Sequence, residues 1–318
     1  MLSRTADHLF WMARYTERAE NTARMLDLNV QTGLLPQTPA AAKRGWCNTL
    51  SISELQGAYD VKYAEVTAQD VLNFMVRDTS HASSIASCLR AARENARAVR
   101  GTLTTEVWET LNITWLEMQN QLDRVFDSDP GKFFEWVRHR SHLSRGVTFG
   151  TMLQDEALYF IRLGTFLERA DNTARILDVK FQDAERNADD RPRNHEHQQD
   201  FYYWAAILRS VSAFEIYRKV YRDAITPERV ADLLMLRPDM PRSLHACLSE
   251  VVRNLRAVAV DAGRDTLRFA GKLHAELKFA HIEDILEQGL HAYLTGFLER
   301  VYELGNRVSR DFLVPAAE

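Results

Sequence analysis

The chain has 318 residues, of which 46% are hydrophobic, and a formal charge of −4 at pH 7. So near-neutral a balance excludes a dedicated nucleic-acid binder, and the apolar fraction can build a core without disulfide or metal staples. With only 13 Gly and 8 Pro, the composition points to an all-α protein.

No stretch of 18 apolar residues occurs, so no membrane span is expected. The opening Met1–Asp7 lacks the apolar core of a secretory signal. Cys47, Cys88 and Cys247 are far apart, odd in number and free of CxxC spacing. They are expected to be reduced thiols in a cytoplasmic protein, with neither zinc nor disulfide.

Apolar periodicity and caps predict helices over 4–32, 46–60, 68–76, 83–100, 104–127 and 130–144. Further helices are predicted over 153–186, 198–222, 227–236, 242–260, 264–279 and 282–312. Asp129-Pro130 and Thr226-Pro227 each read as an N-cap followed by proline at the first helical position. The stretches 33–45, 147–151 (VTFGT) and 187–197 read as loops, with His195 and His197 solvated in the last.

Self-similarity organises these elements. Residues 17–31 (ERAENTARMLDLNVQ) and 168–182 (ERADNTARILDVKFQ) agree at ten of fifteen positions, at an offset of 151. Fainter matches follow: Trp46, Leu50, Tyr59 and Tyr63 with Trp204, Leu208, Tyr217 and Tyr221, then Ser84, Cys88 and Asn95 with Ser243, Cys247 and Asn254. The expectation is a helical bundle of two tandem pseudo-symmetric copies of one unit, 1–150 and 153–318, in a single domain.

At 100° per residue, Glu17, Glu20, Asn21 and Arg24 share a face of the first repeated helix; Glu168, Asp171, Asn172 and Arg175 do so in the second. Arg18 and Arg169 fall on the flank. A solvated face laced with i,i+4 pairs would let residue types drift between copies, yet Asn matches Asn and Arg matches Arg. Retention points to a buried polar network or a symmetric ligand site, and both readings stay open.

Two basic clusters are candidate anion sites. One is Arg93 and Arg97 in the stripe Arg90–Arg100, which could also partner the acidic repeated face. The other is Arg140, His142 and Arg145 at a predicted helix end. No P-loop, GxGxxG, GxSxG or HExxH occurs, and no Glu-x-x-His of a di-metal bundle. Glu287 and His291, an i,i+4 pair on one predicted helix, come nearest. No metal or cofactor is expected. Trp108, Trp115 and Trp136 are spaced like core residues.

The segments LSRTADHLFWMARYTERAENTARMLD (2–27) and FIRLGTFLERADNTARILD (160–178) resemble the bacterial alpha-E domain family, formerly a domain of unknown function. ARENARAVRGTLTTEVWETLN (92–112), RGVTFGTMLQDEALYFIRLG (145–164), WAAILRSVSAFEIYRKVY (204–221) and LEQGLHAYLTGFLERVYELG (286–305) extend the resemblance over the chain. Its charged motifs match at Glu17, Arg18, Asn21, Arg24, Glu168, Arg169, Asn172, Arg175, Arg93, Glu94, Arg97, Arg140, His142 and Arg145.

The resemblance implies companionship with ATP-grasp ligases and transglutaminase-like proteins, in systems that ligate or modify peptides. A non-catalytic accessory that binds such a partner or its peptide substrate is therefore expected. The alternative is an enzyme acting on an amide, acyl or phosphorylated group, with Glu17 and Glu168 as acid and base.

Overall fold

The computed structural model describes residues 1–33, 38–189, 196–259 and 263–313, of which 183–189 and 196–200 as backbone only. The described residues form helices and no strands. In order they are α1 (Ser3–Gly33), α2 (Pro39–Ile52), α3 (Gln56–Asp60), α4 (Ala68–Val76), α5 (Ile85–Ala98), α6 (Thr105–Gln121) and α7 (Pro130–Thr151). Then come α8 (Glu156–Asp189), α9 (Glu196–Ser210), α10 (Phe214–Val220), α11 (Pro227–Met235), α12 (Leu244–Val258), α13 (Arg264–Phe279), α14 (Ile282–Gln288) and α15 (Leu290–Phe312).

Several expected boundaries move, each for a local reason. The stretch 33–45, of which 34–37 lie outside the described residues, is helical from Pro39 because Thr38 caps it, its Oγ1 accepting from Ala41 N. That Thr-Pro signal is the one already read at Asp129-Pro130 and Thr226-Pro227. Helices expected over 46–60 and 198–222 break at Glu54 (φ 54°) and Ser212 (φ 55°), where the left-handed backbone reverses the chain.

The expected 282–312 helix breaks at Gly289 (φ 93°), so Glu287 and His291 stand on different helices. The stretch 147–151 is helical to Thr151, since Ser144 and Thr148 are buried there and Thr148 Oγ1 returns a hydrogen bond to Ser144 O at 2.7 Å. Of the stretch 187–197, residues 190–195, His195 included, lie outside the described residues, and the flanks are ends of α8 and α9.

At the centre α1 and α8 run side by side in the same direction. Contacts advance together from the Met1 amino group on Glu156, through Phe10 beside Gly164, to Glu17 on Arg169. On the other sides α1 packs on α5 and α7, and α8 on α12 and α15. Two apolar cores result. One is built around Leu26, Phe74, Cys88, Phe126 and Phe133; the larger is built around Leu163, Trp204, Leu233, Leu248 and Phe297. Trp108, Trp115 and Trp136 pack against these cores from their edges.

The close approach of α1 and α8 depends on a missing side chain. A Cβ on Gly164 would lie 2.3 Å from Phe10 O and 3.2 Å from Ala13 Cβ. Backbone, not a yielding side chain, is the obstacle. Gly164→Ala is therefore expected to destabilise the protein by about 1–3 kcal/mol through forced separation of the helices. Gly146→Ala, where a Cβ meets nothing within 4 Å, is expected to be neutral or stabilising by about 0.5–1 kcal/mol. Chemical denaturation of the two variants beside the parent protein measures both.

Candidate functional site

Just past the Ala13–Gly164 approach, each central helix turns a Glu-Arg dipeptide toward the other. Arg169 donates Nε to Glu17 Oε1 and Nη2 to Glu17 Oε2, both at 2.9 Å. Arg18 donates Nε to Glu168 Oε1 at 2.5 Å and Nη2 to Glu168 Oε2 at 3.0 Å. The two bidentate pairs are reciprocal, glutamate of one helix on arginine of the other. Glu17 is 1% exposed and Glu168 5%. The arginines expected on the flank are thus turned inward, because the flank of each helix faces the other.

Further arginines surround the Glu17 side. Arg242, immediately before the Ser243 cap of α12, donates Nη1 to Glu17 Oε1 (2.9 Å) and Asn21 Oδ1 (3.1 Å), and Nη2 to Glu20 Oε1 (2.7 Å). Arg145 of α7 donates Nη1 to Glu17 Oε2 at 3.0 Å and also to Glu20 Oε2. Arg24 donates Nε to Glu20 Oε1 at 2.9 Å, Nη1 to Ser212 Oγ at 2.6 Å and Nη2 to His142 Nε2 at 3.1 Å. A guanidinium only donates, so that ring nitrogen is an acceptor.

The Glu168 side is more open. Arg14 donates Nε to Glu168 Oε2 at 2.7 Å, and Arg175 grips Asp171 with Nε and Nη2 at 2.8 and 3.0 Å. Arg175 Nη1 also pairs with Glu54. Beside these groups lies a cleft of about 330 Å³ between α1, α8 and α15, lined by Trp11, Asn21, Asp171, Asn172, Tyr302 and Gly305 among others.

Burial by itself would raise the carboxyl pKa values, but the facing guanidiniums outweigh it. Arg14 and Arg18 hold Glu168 at about 2. Arg169 and Arg242 pull Glu17 below its ordinary value, and Arg242 and Arg145 pull Glu20 well below. Ionised, with guanidinium donors on both oxygens of each, these carboxylates have no proton to give at neutral pH. Burial pushes Cys88 and Cys247 up to about 12, which makes both thiols poor nucleophiles. Among the described residues, no three His, Cys, Asp or Glu side chains assemble into a metal-holding group.

The structure thus gathers Glu17, Arg18, Glu20, Asn21, Arg24, Glu168, Arg169, Asp171, Asn172 and Arg175 along one seam. It adds Arg145 as a partner of Glu17 and Glu20, and His142 as an acceptor for Arg24. Arg140 instead donates to Thr114 Oγ1 and Thr110 O; Arg93 donates to Asn112 and pairs with Glu94, and Arg97 pairs with Glu94. The guanidiniums that meet the acidic face come from α1, α7, α8 and the α12 cap, not from the Arg90–Arg100 stripe. Arg14, Arg242, Glu54 and Ser212 are the members that sequence reasoning missed. Arg242 stands directly before the Ser243 N-cap of α12, and no spacing within α1 or α8 points to it.

The Alpha-E family, described as a predicted α-helical domain with a conserved ER motif, matches residues 1–313. The chain belongs to this family. No curated protein and no solved structure matches it. In this Alpha-E chain the Glu17-Arg18 and Glu168-Arg169 dipeptides form the central cross. No helix among the described residues is long and apolar enough to cross a membrane.

The cross predicts a pH dependence. Glu168 has an ordinary carboxyl pKa of 4.5 when unfolded and about 2 when folded, so its contribution is complete above pH 4.5 and fades as pH falls toward 2. The difference corresponds to about 3 kcal/mol. Denaturation midpoints measured from pH 6 down to pH 2.5 should fall steeply below pH 4.5. The fall should be shallower in Glu168→Gln, which starts less stable. Equal slopes for both proteins would exclude the ion pair as the cause.

Proposed function

We propose that this Alpha-E protein is a non-catalytic helical accessory that binds an ATP-grasp ligase or a transglutaminase-like protein in a peptide-ligating or peptide-modifying system. The observation that carries the reading is the fate of the central carboxylates. Glu17 and Glu168, the acid and base an enzyme reading requires, are buried and committed to arginine. A motif spent on joining two helices leaves the outer surface for recognition. There, Ile113 and Leu116 on α6 and Leu143 and Phe149 on α7 are exposed, as is Leu153 just beyond. The α6–α7 pair is tied by Arg140 to Thr110 and Thr114. Large exposed apolar side chains on adjacent helices suit docking to a protein partner. The partner class itself comes from the family resemblance.

We also propose that the domain is two copies of one unit, 1–150 and 153–318. Four observations support it beyond the sequence repeat. Ser84 and Ser243 cap α5 and α12, and Thr67 and Thr226 cap α4 and α11, each at an offset of 159. The breaks at Glu54 and Ser212 are equivalent, and each takes an arginine from the other half, Arg175 and Arg24. The buried rows Phe134, Val137, Ser141, Ser144, Thr148 of α7 and Leu294, Phe297, Val301, Leu304, Val308 of α15 coincide at an offset of 160. Finally, the Glu–Arg pairs cross reciprocally, as contacts at a twofold axis do.

The experiment is co-expression with an ATP-grasp ligase encoded by the same host, followed by affinity capture and native mass spectrometry. A stoichiometric complex is expected for the parent protein. Leu116→Glu combined with Leu143→Glu should weaken it at least tenfold without lowering the melting temperature. Peptide or acyl turnover by the isolated protein would overturn the accessory reading.

A further inference from the structure

The two sides of the central seam are equivalent under the proposed repeat, yet one is filled and the other open. On the filled side, Arg145 and Arg242 reach Glu17 and Glu20, and Arg242 also donates to Asn21 Oδ1. The offsets of 160 and 159 place Gly305 where Arg145 would stand and Ser83 where Arg242 would stand. Neither can supply a cation. Both line the 330 Å³ cleft.

The acids of the open side are compensated unevenly. Glu168 regains a guanidinium from Arg14, so it is fully paired. Asp171, the counterpart of Glu20, has Arg175 as its only cationic partner among the described residues, where Glu20 has three arginines. Asp171, Asn172 and Tyr302 line the cleft, while the Trp11 ring is taken by the Arg14 guanidinium, 5.2 Å from its centroid. A cation can sit there against carboxylate, amide oxygen and ring face together.

A second polar group needs a partner of opposite character. Asn21 is 3% exposed and lines the cleft, and its Nδ2 finds no acceptor. The amide orientation is fixed, because Oδ1 accepts from the Arg242 guanidinium and a flipped amide would oppose two donors. A buried donor left unpaired costs about 1–3 kcal/mol, which a bound acceptor would recover.

We infer that this cleft binds a small ligand with a guanidinium or ammonium group at one end and a carboxylate or carbonyl at the other. The cation takes the place that Arg145 and Arg242 hold on the opposite side, against Asp171 and Asn172. The acceptor meets Asn21 Nδ2. A basic amino acid, free or at the end of a peptide, has this chemistry. The six charged groups lining the cleft, Arg14, Arg18, Arg175, Glu54, Glu168 and Asp171, balance, which suits a ligand carrying both charges. The inference borrows its residue equivalences from the proposed repeat, but its test reads the cleft directly and needs no protein partner.

Calorimetric titration of the isolated protein uses L-arginine, L-citrulline, agmatine and the tripeptide Ala-Ala-Arg. L-arginine or the tripeptide is expected to bind, and whichever is tighter identifies the free or peptide-borne source. Citrulline, which keeps the shape but not the cation, and agmatine, which lacks the carboxylate, should each bind at least tenfold more weakly. Gly305→Arg refills the cleft as Arg145 fills the other side. A Cβ there meets only Arg14 Nη1, at 3.9 Å, so the helix can accept it. This variant should keep its melting temperature and lose binding at least tenfold; if it unfolds, Asn21→Leu replaces it with the same expectation. No heat from either arginine ligand, equal binding of citrulline, or unchanged affinity in the cleft variant would overturn the inference.

Discussion

Two guanidinium–carboxylate pairs crossing between α1 and α8 constrain everything built around them. Placing four charges where neither glutamate exceeds 5% exposure is costly unless every lone pair and N–H is matched. The bidentate geometry puts a guanidinium donor on both oxygens of each glutamate, and it does so only when the helices lie close and in one register. Gly164 permits the approach; the dipeptides fix the register. An ion pair of this kind adds little net stability over an apolar seam, but it heavily penalises any slipped arrangement that would strand a buried charge.

From that seam the rest of the molecule follows outward. α7 and the cap of α12 must bring Arg145 and Arg242 to Glu17 and Glu20, because two buried acids on one helix face need more cations than Arg169 and Arg24 supply. Ser212 and Glu54, at the left-handed breaks beyond α9 and α2, take further N–H groups of Arg24 and Arg175. Polar residues kept alike between two related helices therefore reflect mutual satisfaction, a constraint that solvated charges do not feel.

Departures from equivalence carry the remaining information. Under the proposed repeat, side chains hold the fold where the two halves agree. Where they differ, at Arg145 against Gly305 and Arg242 against Ser83, one half closes and the other keeps a cavity. Under the proposed repeat, one copy of the site is given to structure while its counterpart keeps a cleft.

The all-helical character, most helix positions and the special status of the Glu-Arg faces were legible in the residues alone. They depend on local rules: 3.6-residue periodicity, N-caps, proline at a first turn, and a repeat that preserved residue types. Local rules also account for what was misjudged nearby, since Thr38-Pro39 carries a cap signal and Gly146 does not by itself end a helix. Only the tertiary structure decided that Arg18 and Arg169 turn inward, that Arg242 and Arg145 complete the acid cluster, and that Arg93, Arg97 and Arg140 do not. Which cation meets which carboxylate depends on helices more than 100 residues apart arriving at one place, and no spacing within a single helix encodes that.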